Sequence, residues 1–172
     1  YKHLIATKIA FKVIAKEKNI QEEYKLNSFP QNKIHFLHNC VPVTTAAPKS
    51  AERENDILFL NSIRKSRNVS FLLDVVAELY KVIPELTVTI AGFHSLDGKN
   101  LSFDAEEEHH VLRKIKRLGL ENVVNVRGFV TNPIQLQKKS KIFVLPAEIV
   151  FANYSLLESM SAGCVPIVSN GE

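Results

Sequence analysis

The regular alternation of short apolar runs with longer amphipathic segments is the feature that most constrains how this chain folds. Residues 57–60 (Ile-Leu-Phe-Leu) form an uninterrupted apolar run, which is typical of a strand buried on both faces. The segment after it is predicted to be a helix with five apolar residues on its buried face: Phe71, Leu72, Val75, Val76 and Leu79. Chains in which strands alternate with helices form parallel sheets that helices cover on both sides. We therefore predict an α/β fold with a doubly wound parallel sheet.

The same alternation continues on both sides of this pair. Further strands are predicted at residues 11–15, 34–37, 86–91, 123–126, 142–145 and 165–168, the last as a buried strand. Helices are predicted at residues 17–26 and 133–140, and a third begins at a capping box formed by Asp104 and Glu107 and ends at Gly119. Asn68 or Ser70 is predicted to cap the helix after the first apolar run. Residues 42–55 contain two prolines and no apolar period, which predicts a linker.

Composition excludes several classes of protein. The 172 residues, 45% of them apolar, suffice for about one domain with a core, and no apolar run approaches the roughly 20 residues that span a membrane. The first residues lack the order of a signal peptide, so we expect a cytoplasmic protein. The net charge of +4 is mild, and the chain has no basic stripe with interleaved aromatic residues, so we expect no nucleic-acid partner. This charge is compatible with anionic phosphates and with peripheral association at the cytosolic face of a membrane, and it does not choose between them.

The histidines and cysteines predict neither a metal centre nor a disulfide framework. Adjacent helical residues such as His109 and His110 point about 100° apart and do not converge on one ion. Two cysteines do not make a disulfide framework, and Cys164 is expected to be an inert thiol in the core.

The last third of the chain carries the strongest functional signal. An apolar strand is followed by a turn, a short helix that contains Glu158, and Gly163 as its stop. A helix start at the carboxyl ends of parallel strands favours phosphate groups, because its free N–H groups and its dipole attract anions. A single carboxylate beside such a site can accept hydrogen bonds from sugar hydroxyls. These residues predict a nucleotide-sugar site.

Five segments in this order resemble the carboxyl-terminal half of a family 4 glycosyltransferase, a retaining sugar transferase of the GT-B fold. They are residues 34–41, residues 57–61 with the Arg67-Asn68-Val69 loop, residues 87–92, residues 125–130 and residues 143–169. The resemblance implies a Rossmann-like donor-binding domain at residues 56–172. It also implies that residues 1–41 are the end of the acceptor-side domain, that residues 42–55 link the two, and that at least one more strand and helix follow Glu172.

The resemblance also implies roles for particular residues. Glu158 is expected to hold the ribose or the sugar, and Arg67 to neutralise the diphosphate leaving group. Seven further residues are expected to contact the donor: Ser62, Gly92, Gly128, Phe129, Asn153, Tyr154 and Ser155. The expected reaction moves a hexose from a nucleoside-diphosphate sugar to a glycan or lipid-linked acceptor with retention, without a cofactor or metal. This chain by itself is expected to bind a nucleotide better than it catalyses.

The chain departs from the family pattern at several positions, which keeps two alternatives open. The family has two glutamates separated by seven residues, but Val150 occupies the position of the first, and Glu148 is two residues away. Asn61 and Ser62 stand where the family has glycine and arginine, and Arg67 replaces a lysine. The alternatives are a non-catalytic transferase-like binding or scaffold module, and a nucleotide-sugar epimerase of the same architecture.

Overall fold

The structure of the protein is a computed structural model, which describes residues 11–16, 18–26, 29–43, 53–97, 104–150 and 153–170. The chain divides into two compact units, Tyr1–Cys40 and Val41–Glu172. Each unit has its own sheet. Among the described residues, no helix has both the length and the apolar character that crossing a membrane requires.

The first unit is a small strand–helix–strand motif. It consists of β1 (Val13–Ala15), α1 (Lys18–Leu26) and β2 (Ile34–Phe36). The two strands pair in parallel, with Val13 opposite Ile34. The elements predicted at 11–15, 17–26 and 34–37 are therefore confirmed in type, with shorter strands than predicted; residue 17 lies outside the described residues.

The second unit is a five-stranded parallel sheet with its connecting helices. In chain order its elements are β3 (Asn55–Leu60), α2 (Val69–Val82), β4 (Val88–Ala91), α3 (Ala105–Arg117), β5 (Val124–Arg127), α4 (Pro133–Lys138), β6 (Ser140–Leu145), α5 (Tyr154–Ser161) and β7 (Val165–Val168). The strand order is β5-β4-β3-β6-β7. The chain therefore moves outward from β3 in one direction and then returns to build β6 and β7 on the other side. Because parallel crossovers are right-handed, the helices of the two halves cover opposite faces, which confirms the doubly wound sheet.

The core lies around the central strands. Leu58 and Phe59 of β3 and all four residues of β4 are buried, as expected for strands covered on both faces. The prediction that residues 165–168 form a buried strand is wrong in one respect. The strand exists, but Val165 is 61% exposed because β7 is the edge of the sheet in the part of the chain that the structure describes.

The predicted buried face of α2 is also wrong in part. Leu72 and Val76 are buried as predicted, but Phe71 is 61% exposed and Val75 is 38% exposed. The buried positions are Val69, Leu72, Leu73 and Val76. These residues also follow the i, i+3, i+4, i+7 spacing of a helical stripe, so the sequence contains two overlapping stripes and packing against the sheet selects one of them.

Helix capping follows the sequence at α3 and departs from it at α2. The side chain of Asp104 accepts a hydrogen bond from the Glu107 N–H at 3.1 Å, and Gly119 has a φ of +65° just after α3, so both predicted caps are confirmed. Asn68 precedes α2, but its side chain makes no capping hydrogen bond. Its Nδ2 instead donates to the carbonyl of Pro146, 3.0 Å away, which ties the start of α2 to the segment after β6.

A buried arginine connects the amino end of β6 to the residue that follows α5. Arg53, within the segment whose composition predicts a linker, is only 8% exposed. Its guanidinium donates to the carbonyl oxygens of Ser140 and Ala162 and contacts the Sγ of Cys164. Burial raises the pKa of the Cys164 thiol, and the Arg53 charge opposes that shift only in part. Cys164 is buried in the core, as predicted.

Candidate nucleotide-sugar site

The carboxyl ends of the parallel strands border a cleft with a volume of about 490 Å³. Its walls come from the ends of β3 and β4, the segment after β5, and α5, and residues predicted for the site that line it include Ser62, Gly92, Phe129, Ser155 and Glu158. The cleft lies beside β3, where the strand order reverses. This is the position at which doubly wound sheets bind their ligands.

The segment after β3 is shaped by an asparagine side chain. Asn61 Oδ1 accepts a hydrogen bond from the Ser62 N–H at 2.9 Å, and the Ser62 hydroxyl lies 3.4 Å from the same oxygen. This bond fixes the Asn61 side chain against the backbone that follows it. Asn61 and Ser62 both line the cleft, so two small polar side chains stand at the end of β3.

Gly92 lies very close to the backbone of Asn61. Its φ is +119°, and a Cβ at this position would lie 2.0 Å from the carbonyl oxygen of Asn61. Its N–H faces the carbonyl oxygens of Arg127 and Gly128, each at 3.1 Å. Only glycine satisfies both the backbone angle and the space, and the ends of β3, β4 and β5 are held together as a result.

Two aromatic rings stand at the β5 side of the cleft. The rings of His94 and Phe129 have centroids 6.4 Å apart and planes inclined by 35°. Both residues line the cleft, and Phe129 is 65% exposed. An exposed aromatic face beside polar groups is suited to a flat, partly apolar ligand group such as a nucleobase.

The start of α5 forms the opposite wall. Asn153 is its N-cap residue, and its Oδ1 accepts a hydrogen bond from the Leu156 N–H at 3.3 Å. This bond satisfies the third amide of the helix, and Tyr154 and Ser155 carry the first two N–H groups of α5. Ser155 lines the cleft, whereas the Tyr154 side chain is 49% exposed.

Glu158 lies one turn further along α5 and lines the cleft. Its carboxylate is partly buried, and its Oε2 lies 3.5 Å from Nε2 of Gln137, a side chain with no solvent exposure. The same Nε2 donates to the Ser155 carbonyl at 3.2 Å. Gln137 therefore supports both Ser155 and Glu158 from beneath the helix.

Arg67, which is expected to neutralise the diphosphate leaving group, does not line the cleft. It ends a 3-10 turn, Lys65–Arg67, before α2, and its Nη1 donates to the Ile149 carbonyl at 3.3 Å. Its Nε is buried without a hydrogen-bond partner among the described residues. Burial, followed by the nearby positive charge of Arg64, lowers the pKa of the Arg67 guanidinium. Two like charges held close together are stabilised by an anion.

Gly128 and Tyr154 are next in sequence to lining residues and Asn153 is two positions from Ser155, but none of the three lines the cleft. Sequence reasoning missed two residues that support the site, Gln137 and Glu108, a buried residue of α3, and it also missed the buried Arg53 of the core. For Glu108 a signal was present, because it precedes the buried residues Val111 and Ile115 by three and seven positions, on the same helical face. For Gln137 and Arg53 no local pattern marks the burial. No group of three or more His, Cys, Asp or Glu side chains that could hold a metal ion occurs in the described part of the chain.

The comparison with protein families is decisive for the classification. The sequence model of the family described as "Glycosyl transferases group 1" matches residues 43–172. The chain belongs to this family. The match includes every element from β3 to β7, so the cleft described above is the cleft of a group 1 glycosyltransferase fold.

Individual relatives agree with this classification. The chain is 25% identical over 169 residues to the capsular polysaccharide biosynthesis glycosyltransferase CapH of Staphylococcus aureus, covering 97% of this chain and 44% of CapH. Solved structures share the fold at lower identity. The structure of Anabaena HepE in complex with UDP and glucose has a TM-score of 0.77 at 17% identity, covering 96% of this chain and 46% of HepE. A structure of S. aureus TarM in complex with Fondaparinux, alpha-GlcNAc-glycerol and UDP has a TM-score of 0.75 at 18% identity, covering 96% of this chain and 31% of TarM. The chain spans less than half the length of these proteins.

Proposed function

We propose that residues 56–172 are the donor-binding domain of a retaining glycosyltransferase, which holds a nucleoside-diphosphate sugar and transfers its hexose to a glycan or lipid-linked acceptor. Within residues 42–55, the part before Arg53 would link this domain to the end of an acceptor-side domain at residues 1–41, because Arg53 is buried and Asn55 begins β3. The observation that carries the proposal is the composition of one cleft. It combines an aromatic wall, a helix start and the Glu158 carboxylate at the strand-order reversal of the sheet.

Each part of the cleft suits one part of the donor. The base would lie against Phe129 and His94, near the backbone of Gly128. The ribose or sugar hydroxyls would donate to the Glu158 carboxylate, which can accept several hydrogen bonds when ionised. The diphosphate would meet the N–H groups of Tyr154 and Ser155, where a helix start favours anions.

Arg67 would act on the diphosphate through its charge. Its guanidinium reaches the Ile149 carbonyl in the segment that leads to α5, so its positive charge stands on the phosphate side of the proposed site. As the sugar–diphosphate bond breaks, negative charge grows on the leaving oxygen, and fixed cations and N–H groups stabilise it. The anomeric carbon forms its new bond to the acceptor hydroxyl, whose proton passes to the departing diphosphate.

We propose uridine diphosphate as the nucleotide part of the donor. The support is the likeness to HepE and TarM, whose structures are complexes with UDP. The mild positive charge of the chain is also compatible with an enzyme that works on lipid-linked acceptors at a membrane surface.

Isothermal titration of the chain with UDP and with GDP tests the proposal. We expect UDP to bind, and Glu158→Gln to weaken UDP binding by about ten- to a hundred-fold, because hydrogen bonds to a charged group contribute about 1.5–3 kcal/mol. Glu121→Gln is the matched control, since Glu121 is an exposed carboxylate outside the cleft. Absence of heat with both nucleotides, or equal affinity of the Glu158 and Glu121 variants, contradicts the proposal.

Inorganic pyrophosphate tests the role of Arg67 separately. Arg67→Ala should weaken the binding of pyrophosphate and of UDP by similar factors, because both ligands carry the diphosphate charge. Lys65→Ala removes an exposed cation two positions away and should have a much smaller effect. If the two variants behave alike, Arg67 contributes only to the general charge of this edge.

A non-catalytic binding module is a second candidate, and one observation favours it. Val150, at the position of the first family glutamate, packs against the core, while Glu148 is exposed and does not line the cleft. The longest natural form of the protein separates the candidates. Release of UDP from UDP-glucose or UDP-N-acetylglucosamine in the presence of acceptor supports the enzyme, whereas UDP binding without any turnover supports the module.

A further inference from the structure

A carboxylate of α3 is completely buried behind the aromatic side of the cleft. Glu108 has 0% exposure and lies on the buried face of α3 with Val111 and Ile115. Its two oxygens accept hydrogen bonds from two consecutive amides: Oε1 from the His94 N–H at 3.0 Å, and Oε2 from the Ser95 N–H at 2.9 Å. Both distances are those of good hydrogen bonds.

Burying the Glu108 carboxylate is unfavourable for the core, but it constrains the conformation of the loop at residues 94 and 95. Burying a carboxyl group costs free energy unless hydrogen bonds replace its water, and an apolar side chain at position 108 would fill the space more cheaply. The compensation comes from the backbone of residues 94 and 95, which must turn both N–H groups toward one side chain. Glu108 and this backbone therefore stabilise each other. The two hydrogen bonds replace the water around the carboxylate, and they hold residues 94 and 95 in one conformation.

The loop that Glu108 holds is part of the cleft. It starts at Gly92, whose N–H faces the carbonyl oxygens of Arg127 and Gly128, and it reaches His94, whose ring lies beside Phe129. The loop is thus anchored at its first residue to the end of β5 and at its last residues to α3. Gly92 and His94 of this loop line the cleft.

We infer that Glu108 is a positioning residue for the nucleobase end of the site, an inference that rests on the proposed function. Glu108 does not line the cleft and acts through His94. Its carboxylate fixes the His94 backbone, so that the imidazole ring is already in place to contact the base beside Phe129. Such preorganisation raises affinity because the loop need not be ordered when the ligand binds. The diphosphate end, built from α5 and the Arg67 segment, does not depend on it.

Glu108→Gln tests the inference, with Glu106→Gln as the matched control. The glutamine keeps the shape but can accept only one of the two N–H groups, while Glu106 is an exposed residue of the same helix turn. We expect Glu108→Gln to weaken UDP binding about ten-fold, equivalent to about 1.4 kcal/mol, and to leave the affinity for inorganic pyrophosphate unchanged. Glu106→Gln should change neither.

A double-mutant cycle with His94→Ala separates positioning from a general loss of stability. If Glu108 acts through His94, then Glu108→Gln should have little further effect on UDP binding in the His94→Ala background. Equal losses in both backgrounds, or equal losses for UDP and pyrophosphate, overturn the inference and leave Glu108 as a core residue. Failure of the wild-type chain to bind UDP, with pyrophosphate still bound, refutes the proposed nucleotide site and the inference with it.

Amide hydrogen exchange gives a readout that needs no ligand and can be measured on the wild-type chain. The His94 and Ser95 amides should exchange slowly in the wild-type chain, because both are bonded to a buried carboxylate. Fast exchange of both amides contradicts these two hydrogen bonds even if UDP binds normally. Glu108→Asp, which shortens the side chain by one methylene, should speed exchange at these amides if the variant folds. An unchanged exchange rate would also count against the inference.

Discussion

Replacing Gly92 with alanine should disrupt both the fold and the site. The added Cβ would lie 2.0 Å from the Asn61 carbonyl oxygen and 2.6 Å from its carbon, whereas non-bonded heavy atoms prefer about 3.5–4.0 Å. The Asn61 backbone would have to retreat by about 1 Å or more, although its N–H is bonded to the Ala91 carbonyl at 3.2 Å. The φ of +119° adds strain for any residue with a Cβ.

The chain offers a matched control in Gly119. It also has a positive φ, +65°, but a Cβ there would meet nothing within 4 Å. Gly119→Ala should therefore cost only the backbone strain, about 1–2 kcal/mol. Gly92→Ala adds overpacking against a strand end, for an expected loss of about 3–5 kcal/mol in the free energy of unfolding.

Urea denaturation of both variants measures this difference, and titration with UDP measures its effect on the site. Because Gly92, Asn61 and Ser62 line one cleft, a displacement of about 1 Å should weaken UDP binding, whereas Gly119→Ala should leave it unchanged. If the two alanine variants lose equal stability, the close approach of Gly92 to Asn61 does not constrain the fold.

Two further predictions concern groups away from the cleft. Arg53→Met should lower the free energy of unfolding by about 2–4 kcal/mol, measured in urea, because the Ser140 and Ala162 carbonyls would lose a charged donor; a loss below about 1 kcal/mol would show that water replaces it. Asp56 should make the chain sensitive to acid. Burial alone would raise the pKa of Asp56, but its bonds to Lys141 and neighbouring groups lower it overall. Its stabilising effect is therefore present above the unfolded pKa of about 4 and is lost as the pH falls through the lower folded value. Unfolding midpoints measured from about pH 6 to about pH 3 should fall less steeply for Asp56→Asn than for the wild-type chain, and parallel curves would contradict this.

Much of the fold could be predicted because its signals are local. The Asp104 cap and the glycine stop after α3 depend on residues within one helical turn, and the apolar run at residues 57–60 requires a strand covered on both faces. The location of the site was predictable for the same reason, since the carboxyl ends of parallel strands always share one edge. Ser62, Phe129 and Glu158 were expected at that edge, and they line one cleft.

The supporting interactions could not be predicted, because their partners are far apart in the chain. Asn68 is a good capping residue by type, yet its side chain bonds Pro146, which only the pairing of β3 with β6 brings near. The guanidinium of Arg67 donates to the Ile149 carbonyl, 82 positions further along the chain. In both cases a polar side chain bonds a distant carbonyl, and the order of the strands in the sheet decides which carbonyls are near it.

The sequence by itself determined the type and order of the elements, the caps of α3 and the family, because periodicity, capping and motif spacing act over a few residues. Only the tertiary structure decided which stripe of α2 is buried, where the guanidinium of Arg67 lies and which loop the Glu108 carboxylate holds. These outcomes depend on burial and on hydrogen bonds between distant segments. Such interactions contribute to the free energy of folding only when the sheet has brought those segments together.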